Sequence, residues 1–350
     1  MYLQPHNRVA LLMHEGLQGG MGKTGLAMVR YGRSPVVAII DYQSVGQSLV
    51  DLTGINQAIP IVDSVAAALA YQPDVLAIGI APSGGKLPEP WFQELDQAIT
   101  AGLSLVNALH TPMAQHPALA PHLRPNQWIW DVRQEPPGLT VGTGKASQLP
   151  CKRVLAVGTD MAVGKMSTNL ELHRACQARG IKSKVIATGQ TNLMLGDDGI
   201  PLDAIRVDYA SGAVEQAVMA YGYDYDLLFI EGQGSLLNPA STATLPLLRG
   251  GQPTHLILVH RAGQTHIANC SEVSIPPLPR VVDLYEQVAA AGGAFKGANV
   301  VGIALNTGHL SPSAAAAAIE AAEQETGLPC TDLFRYGADK LLAAILSPQP

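Results

Sequence analysis

The sequence predicts an α/β protein built from two three-layer domains with parallel sheets, on three observations. Short apolar runs recur along the chain, helix-compatible stretches separate them, and a Pro/Gly-rich stretch at residues 131–150 interrupts the alternation once. Strand, helix, strand alternation implies a parallel sheet covered on both faces. The expected division is a Rossmann-like domain over residues 1–148 and a P-loop NTPase-like domain over 149–350, with 131–150 as linker.

In the first part, residues 8–14, 35–41, 75–80 and 103–109 read as strands, and 64–71 and 90–101 carry helical spacing. The linker holds Pro136, Pro137, Gly138, Gly142, Gly144 and Pro150 with little apolar periodicity. After it, residues 154–157, 183–188, 227–231, 256–260 and 300–305 are strand candidates, again separated by helical stretches. The alanine-rich run 314–326, with Glu320, Glu323 and Glu325, has strong helix propensity and reads as a surface helix. SIPPLPR at 274–280 reads as a rigid loop rather than a free polyproline ligand.

With 350 residues, 47% of them hydrophobic, the chain can bury a sizeable core. A net charge of -6 with 22 Lys plus Arg gives no basic stripe, so nucleic acid is not an expected partner. Cys151, Cys176, Cys270 and Cys330 show neither a CxxC spacing nor paired histidines, which argues against a disulfide framework or a zinc site. The N-terminal apolar run is too short for a membrane span and lacks a signal-peptide cleavage pattern, so a cytoplasmic location without a membrane partner is expected. A homo-oligomer is compatible with all of this.

The most informative stretch is GTDMAVGKMST at 158–168. An apolar run leads into a glycine-bounded loop, and Lys165 opens a helix. Gly158 and Gly164 let backbone amides turn inward, the helix start adds partial positive charge, and Lys165 can reach terminal phosphates. Gly158, Thr159, Asp160, Gly164, Lys165, Ser167 and Thr168 are therefore the candidate cofactor-binding set. The plain alternative is a structural strand-to-helix turn. Five residues rather than four separate the glycines, and Met166 stands where a hydroxyl usually binds magnesium. Ser167 is the nearest substitute, although one residue further rotates it by about 100° around the helix.

At the end of the strand 227–231, Glu231 precedes Gly232, Gln233 and Gly234, a pattern suited to a carboxylate that positions magnesium or water beside a phosphate loop. A solvated acid at a strand end is the bland alternative. ATGQT at 187–191 offers Gln190 and Thr191 to the same sheet edge. Lys165 and Glu231 are expected on adjacent strand ends, no further apart than about 10 Å, the scale of one magnesium–phosphate cluster.

GTDMAVGK, EGQG at 231–234 and ALNT at 304–307 resemble dethiobiotin synthetase and related phosphate-loop ligases over the C-terminal half. That resemblance implies phosphate contacts from Gly164 and Lys165, a magnesium role for Glu231 and base recognition by Asn306, with Met166 departing from the pattern. Over nearly the whole chain, KTGLAMVRY at 23–31, GTDMAVGK, ATGQT, RVDYASGAVE at 206–215 and EGQGSLLNP are similar to the D-glutamate N-acetyltransferase-like family. This implies a Rossmann-like domain followed by a phosphate-loop domain, and acetyl transfer from acetyl-CoA to the amine of D-glutamate.

GLQGGMGKTG at 16–25 also follows a strand and opens a helix at Lys23 and Thr24, but Gly32 and Pro35 cut that helix short. A second nucleotide loop, a phosphate or acidic-substrate contact, and a structural turn all stay open. His14, Asp41, Ser83 within APSGG at 81–85, and His110 fall just after strands, where a Rossmann-type sheet binds its ligand. His110 joins Lys165 and Glu231 as a catalytic candidate. His255, His260 and His266 lack a metal-binding spacing on a helix face.

Three readings follow. An acyltransferase would hold CoA phosphates in the loop and act on a small amino-acid-like acceptor. A ligase would use ATP with magnesium on Glu231 and Ser167. A regulator would bind nucleotide without turnover.

Overall fold

Residues 3–82 and 87–348 are described by a computed structural model. The chain folds into two compact units, residues 1–134 with 190–197, and residues 135–189 with 198–350. The division falls within the Pro/Gly-rich stretch, earlier than Gln148.

The first unit contains β1 (Val9–Leu12), α1 (Lys23–Tyr31), β2 (Val36–Ile40), α2 (Leu49–Thr53), β3 (Ile61–Val62), α3 (Val65–Ala68), β4 (Val75–Ile78), α4 (Glu89–Ala101), β5 (Ser104–Asn107) and β6 (Ile129–Asp131). β1, β4 and β5 are buried at every position, which is why they read as continuous apolar runs. The sheet order is β3-β2-β1-β4-β5-β6 and every pairing is parallel. Strand order reverses between β1 and β4, so residues just after these strands occupy the switch point where open α/β sheets bind ligands. Side-chain caps start two helices: Ser48 accepts from Asp51 N–H, and Ser64 from Ala67 N–H.

The second unit contains β7 (Lys152–Gly158), α5 (Lys165–Ala178) and β8 (Ser183–Ile186). The chain then forms α6 (Gln190–Leu195), which belongs to the first unit. There follow α7 (Val207–Met219), β9 (Leu227–Ile230), α8 (Thr244–Gly251), β10 (His255–Arg261), the hairpin β11 (His266–Ile267) and β12 (Cys270–Ser274), α9 (Leu278–Ala290), β13 (Asn299–Asn306), α10 (Pro312–Thr326), β14 (Cys330–Thr331), α11 (Leu333–Tyr336) and α12 (Asp339–Leu346). Its main sheet has the order β14-β13-β10-β7-β9-β8, again parallel throughout. The chain is thus α/β with two parallel six-stranded sheets.

Several elements differ from the sequence reading in instructive ways. β3, β6 and β14 are strands of two or three residues, too short to show as apolar runs. The alanine-rich helix α10 buries one stripe, Ala315, Ile319 and Ala322. SIPPLPR becomes the end of β12, a turn and the first residues of α9. The stretch after residue 134 is packed rather than loose: Glu215 of α7 accepts from the N–H groups of Thr143 and Lys145 and from Thr143 Oγ1, and Arg206 pairs with Glu135. No helix among the described residues is long and apolar enough to cross a membrane.

Candidate functional site

The loop from Gly158 to Lys165 links β7 at the centre of the second sheet to α5. Gly164 has φ +120°, a conformation that side chains rarely adopt, and this turn lets α5 begin at Lys165. The end of β7 is pinned by the buried Tyr285, whose hydroxyl donates to the Gly158 carbonyl at 2.7 Å and accepts from Leu236 N–H at 3.1 Å.

Asp160 is 1% exposed and organises the loop around itself. Its Oδ1 accepts from Met161 N–H and Asn238 Nδ2, and its Oδ2 from Gln264 Nε2 and Ala268 N–H. Burial pushes its pKa up, but these hydrogen bonds outweigh burial and hold the carboxyl below its ordinary range. Thr159 is equally enclosed, with Oγ1 2.8 Å from Nδ1 of His260. Burial pushes His260 down to about 4, so its ring is neutral near pH 7.

Lys165 is 6% exposed and donates from Nζ to the Asp160 carbonyl at 2.7 Å. Burial lowers its pKa to about 8, while the charges of Asp160 and Glu231 oppose that shift. Its stem passes Gly232, where an added Cβ would stand 3.0 Å from Lys165 Cδ and collide with the Ala156 carbonyl oxygen. The glycine after Glu231 is therefore required first by the close approach of the β7 backbone at Ala156, with the lysine stem beside it.

Glu231 directly follows β9, the neighbour of β7, whereas Lys165 lies at the start of α5, beyond the loop that leaves β7. Its Oε2 accepts from the N–H groups of Thr188 and Gly189, at 2.8 and 2.9 Å, and Thr188 Oγ1 donates to its backbone carbonyl. Glu231 thereby ties the ATGQT turn to the end of β9. Gln190, the residue after Gly189, opens α6.

Asn306, which the ligase resemblance makes a base reader, donates from Nδ2 to the Val163 carbonyl at 3.1 Å and supports the loop. Thr168 is buried and Ser167 half-buried on the first turn of α5. One turn further, Asn169 donates from Nδ2 to the Ile230 carbonyl, and its Oδ1 has no partner among the described residues.

Sequence reasoning missed His260, Asn238, Gln264 and Tyr285, which come from four different segments and meet the loop only through folding. Two of them, His260 and Gln264, also line a cavity of about 460 Å³ between the C-terminal ends of β10 and β13 and the helices α9 and α10.

In the first unit, His14, Thr24 and Asp41 are buried, whereas Lys23 and His110 are exposed. His14 is 1% exposed; Tyr42 N–H donates to its Nδ1, and its Nε2 lies 2.7 Å from Glu94 Oε1. Asp41 accepts from Glu15 N–H, Gln43 N–H and Ser44 Oγ, closing the turn after β2. Thr24 Oγ1 lies 3.1 Å from Thr191 Oγ1, and Lys23 is exposed.

The glycines of this loop have packing reasons. A Cβ on Gly22 would strike the Gly16 carbonyl, and one on Gly25 the sulfur of Met13, whereas Gly20 faces open space. His110 is exposed after β5, its pKa lowered by burial and by Arg133. The loop that carries it is clamped by Asp131, which accepts from Met113 N–H, Ala114 N–H and Asn107 Nδ2. Ser83 lies outside the described residues.

Known proteins share both halves of this architecture. Residues 140–342 match the domain of unknown function DUF1611, described as a P-loop domain, and residues 42–135 match its Rossmann-like N-terminal counterpart. A D-glutamate N-acetyltransferase of Tritonibacter scottomollicae is 38% identical, covering 77% of this chain and 80% of its own length. One of a Pseudoalteromonas species is 33% identical, covering 83% and 85%. The crystal structure of a DUF1611 family protein from Anabaena variabilis shares 61% identity with a TM-score of 0.96, covering 97% of this chain and 99% of that one. An ATP-dependent dethiobiotin synthetase of Francisella tularensis subsp. novicida is 30% identical over only 27% of this chain.

Proposed function

Because the chain belongs to the DUF1611 family, we propose that it is an N-acetyltransferase that moves acetyl from acetyl-CoA to the amine of D-glutamate or a similar amino acid. The observation that carries this reading is that relatives bearing the activity in their names match through both units, not through the phosphate loop alone. In this reading the loop amides, the start of α5 and Lys165 hold phosphates of CoA. The acceptor amine attacks the thioester carbonyl carbon, a C–N bond forms, the C–S bond breaks, and the CoA thiolate leaves. The amine loses one proton and the thiolate gains one.

The loop chemistry supports this role. Binding CoA phosphates requires donors and positive charge but no metal-binding hydroxyl, consistent with Met166 at that position. A magnesium site would draw on Glu231 and Ser167. Glu231 Oε2 already accepts two backbone N–H groups, and a thioether stands where the usual hydroxyl would be. With Met166 at that position, the phosphate loop lacks the hydroxyl that usually holds magnesium. The ATP-dependent ligase reading is favoured by the partial match to dethiobiotin synthetase alone.

The test is an assay of thiol release from acetyl-CoA with D-glutamate, paired with mass detection of the acetylated product. Turnover in the wild type and its loss in Lys165→Ala is the expected result. Stabilisation by Mg-ATP with no response to acetyl-CoA would overturn the reading in favour of a ligase or regulator.

A further inference from the structure

The cavity beside the phosphate loop has a composition that selects its occupant. Its walls are mainly apolar, with Ile275, Pro277, Leu278, Leu305 and Ala318 among them, and its polar groups are few. Among the described residues no Lys or Arg lines it, and the one acid, Glu325, is tied to Leu278 N–H through Oε1. Phosphates and dicarboxylates would meet a carboxylate there and no cation, so the cavity disfavours an anionic ligand. The volume lies in the range usual for small-ligand sites, roughly 300–1,000 Å³.

One wall group is left for a ligand. His260 is 8% exposed, its Nδ1 is engaged by Thr159, and Nε2 has no protein partner among the described residues. A buried imidazole with one nitrogen uncommitted can exchange a single hydrogen bond with a neutral ligand in the cavity that it lines. Its depressed pKa keeps it uncharged near pH 7. The cavity also adjoins the loop through direct bonds, His260 to Thr159 and Gln264 to Asp160.

We propose that this cavity is the site for the uncharged, amide-bearing pantetheine arm of the acyl carrier, with His260 as its hydrogen-bonding contact and the phosphate loop holding the nucleotide end. The inference rests on the acetyl-CoA reading above. It assigns the two ends of one ligand to two neighbouring places: anionic groups at the loop, where Lys165 stands, and the neutral arm among alanines and prolines. The amino-acid acceptor, an anion, binds outside this cavity.

The experiment is calorimetric titration of the whole protein with three probes: CoA, pantetheine, and adenosine 3′,5′-bisphosphate. Each is titrated into wild type, Ala318→Leu and Ala321→Phe, both of which narrow the cavity. Ala321 is exposed, so its variant is expected to fold, and bisphosphate binding reports an intact loop in either variant. Pantetheine should bind the wild type and lose at least tenfold in affinity in both variants, while the bisphosphate is unaffected. If the wild type binds CoA and bisphosphate but pantetheine binds no variant differently, or does not bind at all, the arm lies elsewhere and only this inference is overturned. If the wild type binds neither CoA nor bisphosphate, the acetyl-CoA reading itself fails and the inference falls with it.

Discussion

Lys165 donates from Nζ to the carbonyl of Asp160, 2.7 Å away, so the main chain of the phosphate loop holds the charge that an incoming phosphate would meet. Burial brings the pKa of that lysine to about 8. Only the protonated form attracts an anion, so CoA affinity should be constant between about pH 7 and 7.5 and then fall, approaching tenfold per pH unit above the lysine pKa. Titration calorimetry from pH 7 to 9.5 reads this directly, and Lys165→Arg, which stays charged, should flatten the curve. A wild-type profile that is flat to pH 9.5 would mean that Lys165 does not touch the anion.

Asp160 accepts four hydrogen bonds from four residues, and an amide in its place would turn one acceptor into a donor facing donors. Asp160→Asn should therefore destabilise the protein by about 1–3 kcal/mol. Its folded pKa lies below the unfolded value, so this carboxylate contributes stability above about pH 4 that is lost as pH falls through the folded pKa. Urea unfolding at pH 7 checks the magnitude, and wild-type stability below pH 4 checks the sign.

His255 and His260 both titrate at about 4 in the folded chain, each driven there first by burial, with Lys152 and Arg153 adding to the effect at His255. Between the ordinary 6.5 and 4 the unfolded chain takes up protons that the folded chain refuses. Stability is then complete above pH 6.5 and declines on acidification, by up to about 1.4 kcal/mol per pH unit for each histidine. Nε2 of His255 has no partner among the described residues, so His255→Leu should fold and should lose one histidine's share of that slope. Unfolding curves at pH 7, 6 and 5 would expose a wrong sign.

Gly25→Ala forces a methyl group onto the sulfur of Met13 and should lower the melting temperature clearly, whereas Gly20→Ala meets open space and should leave it unchanged. A phosphate cradle at residues 16–25 would reverse the functional ranking: Gly20→Ala would then weaken ligand binding with stability intact. Melting and CoA titration of the two variants separate these cases.

Legibility from sequence followed locality. Strands of four or more consecutive buried residues announced themselves as apolar runs, and the loop at 158–168 did so through its glycines and lysine. β3 and β14, two residues each, owe their existence to the neighbouring strand rather than to their own sequence. In the candidate site, Lys165 was readable because it opens the helix after a glycine-bounded loop, and Glu231 because it directly follows a strand. His260 and Gln264 were not, because Thr159 and Asp160 lie about a hundred residues away from them. Asn306 shows the limit of a motif: the residue stands where the resemblance puts it, yet its amide is engaged by the Val163 carbonyl.

The short helix α6 has a bearing on how the chain is made. It lies between two pieces of the second unit, yet Thr191 meets Thr24 and Asp197 pairs with Arg33 in the first. As the polypeptide leaves the ribosome, the first unit therefore lacks its last helix until residue 197 has emerged, when β7, α5 and β8 are already outside. A translation product stopped at residue 134 would leave the α6-binding face of α1 uncovered, and neither unit can be excised with a single cut.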